Sequence, residues 1–131
     1  MIARSALPED WPGIEALRDA CYARWGLPVQ ARDGLAWLIA LHEGRIVCAV
    51  GSSEPTEGHW CILDWYAEEG RYGKRGTAAT LKRLLAEADT QRKTIAGVSC
   101  FEVFIAHALA RGFRFVGVAL ERKPGGQGCL G

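Results

Sequence analysis

"ILDWYAEEGRYGKRGTAATLKRLL", Ile62 to Leu85, is the stretch on which the reading of this chain turns. An apolar run ends in a turn carrying Gly70, Gly73 and Gly76, and the turn opens onto a helical pattern. A strand that ends this way aims unpaired backbone N–H groups, and the positive end of the helix dipole, at one point where an anion fits. From the residues alone two readings stay open. In one, Gly73 and Gly76 admit a pyrophosphate to the backbone while Arg71, Lys74 and Arg75 supply charge. In the other, the stretch is an exposed, basic, flexible start to a helix. It is no P-loop, because no GK[ST] follows at the right spacing, and no GxGxxG is present.

Downstream, Ala78, Leu81, Leu84, Leu85 and Ala88 mark one face of a helix running to about Arg92. "TIAGV" reads as a short strand. "SCFEVFIAHALARGF" reads as a helix, with Ser99 and Glu102 in capping-box spacing and Gly112 as its stop. "FRFVGVALERK" is a closing strand, and the glycine-rich "PGGQGCLG", residues 124–131, is a flexible tail.

Upstream, "HWCILDWYA" reads as a strand, preceded by the polar connection "SSEPTEG". Ala36–Leu41 and Ile46–Val50 form a hairpin around "HEGR", where Gly44 takes the positive φ of a tight turn. "LPVQARDG" has no clear period. "PEDWPGIEALRDACYARWG" reads as a helix with Asp10 as N-cap and Pro12 in the first turn. Ile14, Leu17, Cys21 and Trp25 face the core, and Gly26 and Pro28 end the helix. "IARSAL" is a first strand. The order β, α, β hairpin, β, α, β, α, β predicts an α/β fold, a mixed sheet with helices on its faces, as a single domain over residues 1–123.

The 131 residues suffice for one domain with a proper core. A net charge of +1 gives no global field toward nucleic acid or an anionic membrane, and neither is an expected partner. No apolar run approaches the roughly 20 residues that span a bilayer, and "MIARSALPEDW" lacks a signal peptide's apolar segment. The five cysteines are scattered without a CxxC pair, which fits free thiols in a reducing, cytoplasmic setting and argues against a metal site. Cys129 in the tail is the one expected to react.

Asp64, between Leu63 and Trp65, is a carboxylate on an apolar strand, where burial should raise its pKa. It is either a general base or the partner of a nearby arginine. Glu68 and Glu69 follow at the strand end and read mainly as a solvated acidic turn. Trp37, Trp60, Trp65, Tyr66 and Tyr72 either line a pocket or fill the core.

From Ile2 to about Lys123 the chain resembles the GCN5-related N-acetyltransferase (GNAT) superfamily. "LPEDWPGIEALRD" is similar to its first turn and helix, and "LIALHEGRIVCAVG" to its second and third strands. "ILDWYAEEGRYGKRGTAATLKRLL" sits where the family keeps its fourth strand and acetyl-CoA loop, and "FIAHALARGFRFVGVALERK" resembles its closing helix and strand. The resemblance implies a mixed, mostly antiparallel sheet flanked by helices. It implies acetyl-CoA as co-substrate, lying between the fourth and fifth strands with its pyrophosphate on the amides of Arg71, Tyr72, Gly73, Lys74, Arg75, Gly76 and Thr77. It also implies that Asp64, or a water held there, takes the proton of an amine acceptor, small molecule or protein. Two positions depart from the family pattern. Either Lys74 stands at the inner glycine of the loop or, aligned the other way, Gly73 matches and Gly70 stands at its leading Arg/Gln, and Ala108 stands where many members carry a tyrosine that protonates the thiolate. His107 is adjacent, about 100° around the helix, and is either that acid or a structural residue. Two functions follow: an N-acetyltransferase acting by direct attack of the amine, or a non-catalytic GNAT-like protein. The second kind resembles domains encoded by bacteriophages, with a virion or host-interaction role and other virion proteins or a second copy as partners.

Overall fold

Runs of apolar residues between tight turns build the sheet. The computed structural model describes residues 1–97 and 109–112, and the chain divides into two units, 1–97 and 98–131. In the first unit the strands lie in sequence order: β1 (Ile2–Ser5), β2 (Ala36–His42), β3 (Arg45–Thr56), β4 (His59–Ala67) and β5 (Thr94–Gly97). Neighbours pair antiparallel except β4 and β5, which are parallel. The exception follows from connectivity, because α2 (Arg71–Gln91) carries the chain back along the sheet before β5 begins. With α1 (Trp11–Trp25) the sheet is flanked by two helices among the described residues, which is the mixed, mostly antiparallel α/β architecture expected.

The β2–β3 turn is Glu43 and Gly44, at φ 50° and 77°, the paired left-handed conformation that matches strand twist in a two-residue hairpin. β3 is longer than the sequence suggests. The polar stretch expected as a connection extends the strand to Thr56, and only Glu57 and Gly58 turn. Pro55 is tolerated because the register slips between Ser53 and Thr56, where no ladder N–H is required of it.

Helix α1 buries Ile14, Leu17 and Cys21 against Ile39, Ala49 and Tyr66. It stops at Gly26, whose φ of 68° is left-handed. Asp10 departs from its expected role. It precedes α1, but its backbone is already helical and its side chain makes no cap bond to that helix. With Pro12 at the second position, one of the two amides an N-cap side chain normally reaches is missing. The carboxylate turns back instead: Oδ2 accepts from the Leu7 N–H at 2.7 Å, and both oxygens accept from Arg4, at 2.7 and 3.1 Å. Arg4 first, and the Leu7 amide second, hold its pKa below the ordinary carboxylate value. Its contribution is therefore present above the unfolded pKa and lost as pH falls through the depressed folded pKa. Asp10→Asn should melt below the wild type at neutral pH, with the gap closing on acidification. Equal melting temperatures at neutral pH would remove this tie between β1 and α1.

Helix α2 lays Gly73, Gly76, Thr77, Thr80, Leu81, Leu84 and Ala88 into the fold, with Ala40, Val47 and Cys48 forming a buried cluster of the sheet. It ends where Arg92 turns left-handed at φ 55°. In the second unit, the Gly112 N–H donates to the Leu109 carbonyl at 3.3 Å with φ 90°, at the helix stop expected there. His107, Ala108, the helix from Ser99, the strand expected from Phe113 and the 124–131 tail lie outside the described residues. No helix of the described residues is long and apolar enough to cross a membrane.

Candidate functional site

The site begins with an irregularity in β4. Asp64 pairs with Gly51 and Ile62 with Ser52, so Leu63 is one extra residue on β4, a β-bulge. Among the described residues β5 pairs with His59 through Ile62, the part of β4 before the bulge. Past the bulge β4 stays paired with β3 as it runs toward the start of α2. Beyond the bulge the side chains alternate again. Tyr66 joins the α1 cluster, Trp65 packs with Ala40, Val47 and Cys48, and Asp64 shares the face of Tyr66 by the period of two.

Gly70 ends the connection at φ 90° and ψ −164°, a conformation that only glycine adopts readily. The first helical bond is Lys74 N–H to Gly70 O at 3.2 Å, so the amides of Arg71, Tyr72 and Gly73 precede the ladder and have no acceptor within the helix. The expected anion loop is thus shorter than the sequence suggests, for α2 already includes Gly73 through Thr77. The missing Cβ atoms of Gly73 and Gly76 make room for the protein itself. A Cβ on Gly73 would fall on the carbonyl oxygen of Glu68, and one on Gly76 would lie 2.9 Å from Cβ of Cys48 and 3.0 Å from Cγ2 of Val47. The Thr77 hydroxyl is likewise committed, donating to Gly73 O at 2.9 Å.

Several basic groups surround this helix start. Arg71 donates to the Tyr72 hydroxyl at 2.8 Å, and its guanidinium lies 4.8 Å from that ring. His42 stacks on Tyr72 at 4.0 Å. Arg45 is engaged by both oxygens of Glu68 at 3.0 Å. Lys74 and Arg75 are exposed and make no ion pair among the described residues, which leaves their charge for an anion.

Asp64 is buried, its side chain 6% exposed. Oδ1 lies 3.4 Å from Nε of Arg32, and Oδ2 is buried with no hydrogen-bond partner among the described residues. Burial raises its pKa, while the Arg32 charge, a hydrogen bond from the Tyr66 hydroxyl and the Arg18 charge pull the other way. The direction is the one read from the strand. Tyr66 is raised as well, by burial and then by the Asp64 charge. Glu68, the alternative carboxylate, is tied to Arg45, and Glu69 is exposed. Arg32 went unrecognised in the sequence because "LPVQARDG" has no period to place it.

The aromatic residues divide between the two faces. Trp37 stacks on Tyr66 at 5.9 Å beside Asp64, joined by Tyr22 at 6.0 Å and Trp25 at 6.4 Å from the same ring. Trp65 of β4 and Tyr72 of α2 pack against the Ala40, Val47 and Cys48 cluster, and Trp60 donates to Glu54 at 3.1 Å. A cavity of about 330 Å³ lies between the β1–β2 end of the sheet, β3, β4 and the C-terminal half of α2, bordered by Trp37, Ser52, Glu54, Trp60, Leu84 and Glu87. Its carboxylates are already paired, Glu54 with Lys93 and Glu87 with Arg83, so it offers no free charge. Cys48, pushed up to about 11 by burial, is a packed thiol rather than a nucleophile.

The mixed, mostly antiparallel sheet flanked by helices is the GNAT-like α/β fold, and solved acetyltransferases share the architecture. A putative acetyltransferase from Agrobacterium tumefaciens matches with a TM-score of 0.71 at 15% identity, over 94% of this chain and 99% of that one. A structure described as a predicted acetyltransferase with acetyl-CoA, from Clostridium acetobutylicum, matches at 0.66 and 18% identity, covering 93% and 95%. The ribosomal-protein-alanine N-acetyltransferase of Brucella melitensis matches at 0.69 and 20%, covering 89% and 86%. No family model and no curated protein matches the sequence. At these identities the likeness is one of fold.

Proposed function

We propose that this chain is an N-acetyltransferase that moves the acetyl group of acetyl-CoA to an amine, small molecule or protein, in the cytoplasm. The observation that carries the reading is the placement of a buried carboxylate with one unpartnered oxygen just past the β4 bulge, on the strand that ends at the open start of α2. The same fold in a structure solved with acetyl-CoA supports it.

The residues present fit the cofactor. The amides of Arg71, Tyr72 and Gly73 and the side chains of Lys74 and Arg75 would hold its diphosphate, by hydrogen bonds, dipole and charge. Acetyl-CoA supplies an acetyl thioester when bound. Asp64 accepts the proton of the amine nitrogen, and its raised pKa brings it nearer the working pH of a general base. His107 would return a proton to the departing thiolate.

Titration calorimetry with acetyl-CoA tests this. The wild type should bind in the micromolar range, and Lys74→Glu with Arg75→Glu should weaken binding by about tenfold or more, roughly 1.4 kcal/mol. No binding at millimolar cofactor would refute it. That outcome would favour the second reading, a non-catalytic protein on this fold with a virion or host-interaction role. What supports that alternative is that Gly73 and Gly76 serve internal packing.

A further inference from the structure

We propose that the cavity between the sheet and the C-terminal half of α2 is a binding site for an uncharged pyranose sugar. It is separate from the site described above. From Gly73, at the start of α2, to Glu87, which borders the cavity, the helix rises about 20 Å. Trp37 also borders it, but that ring is stacked on Tyr66 with the α1 cluster. The inference does not depend on the transferase reading.

Strand register brings the lining together. Ser5 stands opposite Leu38, and Ala36 opposite Ser52. Leu38 and Ala36 alternate onto the face of Ala40, against which Gly76 of α2 lies. Leu38, and Leu84 from α2, are buried and give the cavity its apolar part. Trp60 adds a ring that is held in place. Its Nε1–H donates to Glu54 at 3.1 Å, and the same carboxylate accepts from the Gly58 N–H at 3.2 Å and from Lys93 at 2.8 Å.

The polar groups decide what fits. Lys93 balances Glu54, and Arg83 engages one oxygen of Glu87 at 2.6 Å. A cation therefore finds both carboxylates already paired, and an anion meets two negative charges. The side chains of Ser5, Ser52, Ser53 and Gln91, and the second oxygen of Glu87, have no hydrogen-bond partner among the described residues. A wholly apolar compound would take these groups from water and return nothing, which is unfavourable. An uncharged ring with hydroxyls at its edge and C–H groups on its face satisfies all three conditions. Its hydroxyls pair with the serines, Gln91 and Glu87, and the bond to the carboxylate is charge-assisted. Its C–H face lies on the Trp60 ring. A volume of about 330 Å³ is at the small end of ligand sites, which run from about 300 to 1,000 Å³, so it suits a single ring.

The test uses the full chain without acetyl-CoA. The probes are the methyl glycosides of glucose, galactose and mannose, with cyclohexylmethanol as the apolar ring control. The indole N–H resonance of Trp60, assigned by its loss in Trp60→Phe, reports the cavity. At least one glycoside should move that resonance saturably, with a Kd of about 1 mM, and cyclohexylmethanol should not. Ser52→Ala and Glu87→Gln should each weaken binding by about threefold to tenfold, the loss of one hydrogen bond. Ser52 has no side-chain partner to lose, so its variant should melt as the wild type does. The proposal is overturned if no glycoside binds saturably, or if one binds with the Trp60 resonance unmoved. It is equally overturned if cyclohexylmethanol binds as tightly, or if both variants bind as the wild type does.

Discussion

Gly73→Ala is expected to destabilise this protein by about 3 kcal/mol or more and to abolish acetyl-CoA binding. In an ordinary helix the same change stabilises, since alanine is favoured over glycine by about 1 kcal/mol. Here the sign reverses. The first turn of α2 lies so close to the end of β4 that the added methyl would fall on the backbone carbonyl of Glu68. A flexible side chain could swing aside, but this carbonyl cannot. The amide of Glu68 is bonded to Val47 O at 2.9 Å, and its carboxylate is held by Arg45. Relief must come from lifting the helix start off the strand, which breaks the packing of Gly76 on Cys48 and Val47 and swings the free amides of Arg71 to Gly73 away. Overpacking within a well-packed core costs about 1–3 kcal/mol, and a clash with fixed backbone belongs at or above the top of that range. Denaturant unfolding of the variant reads the loss directly. Stability equal to the wild type would mean that α2 does not start where Gly73 places it.

Asp64→Asn is the second large effect, and it should split two properties that usually fall together. Acetyl transfer should drop by about 10²–10⁴-fold, the contribution of a positioned general base, while acetyl-CoA still binds. Stability at neutral pH should rise. The folded pKa of Asp64 is raised, mainly by burial. The stability linked to it is therefore fully present below the unfolded pKa and lost as pH climbs through the raised folded value. At neutral pH the buried charge is a cost that an isosteric, neutral amide removes. On acidification the wild type protonates and its melting temperature should converge on that of the variant. A gain in stability with a loss of turnover marks a residue retained for chemistry. A variant less stable than the wild type at neutral pH would instead make the Arg32 pair a structural tie.

What the sequence by itself determined is the part of the fold that local chemistry controls. The left-handed Gly44 closing a hairpin, Gly26 ending α1 and the spacing of Ile14, Leu17 and Cys21 are each decided by neighbours within a few residues. So were the order of strands and helices as far as β5 and, with it, the class of sheet. The polarity of Asp64 on an apolar strand was legible for the same reason, since a carboxylate flanked by Leu63 and Trp65 implies burial wherever that strand docks.

The tertiary structure alone decided what the glycines of α2 are for. Gly73 and Gly76 have the same spacing whether the missing Cβ makes room for a phosphate or for the protein's own backbone. Only the approach of Val47 and Cys48 from β3, and of the Glu68 carbonyl from the connection before α2, separates the two. The bulge at Leu63 depends on registration against Gly51 and Ser52, and the partner of Asp64 is supplied by a segment with no period of its own. Apart from the approach of Glu68 to Gly73, these features are pairings between residues far apart in the chain. Their energies appear only once the sheet has brought the partners within a few ångströms, so no window of sequence contains them.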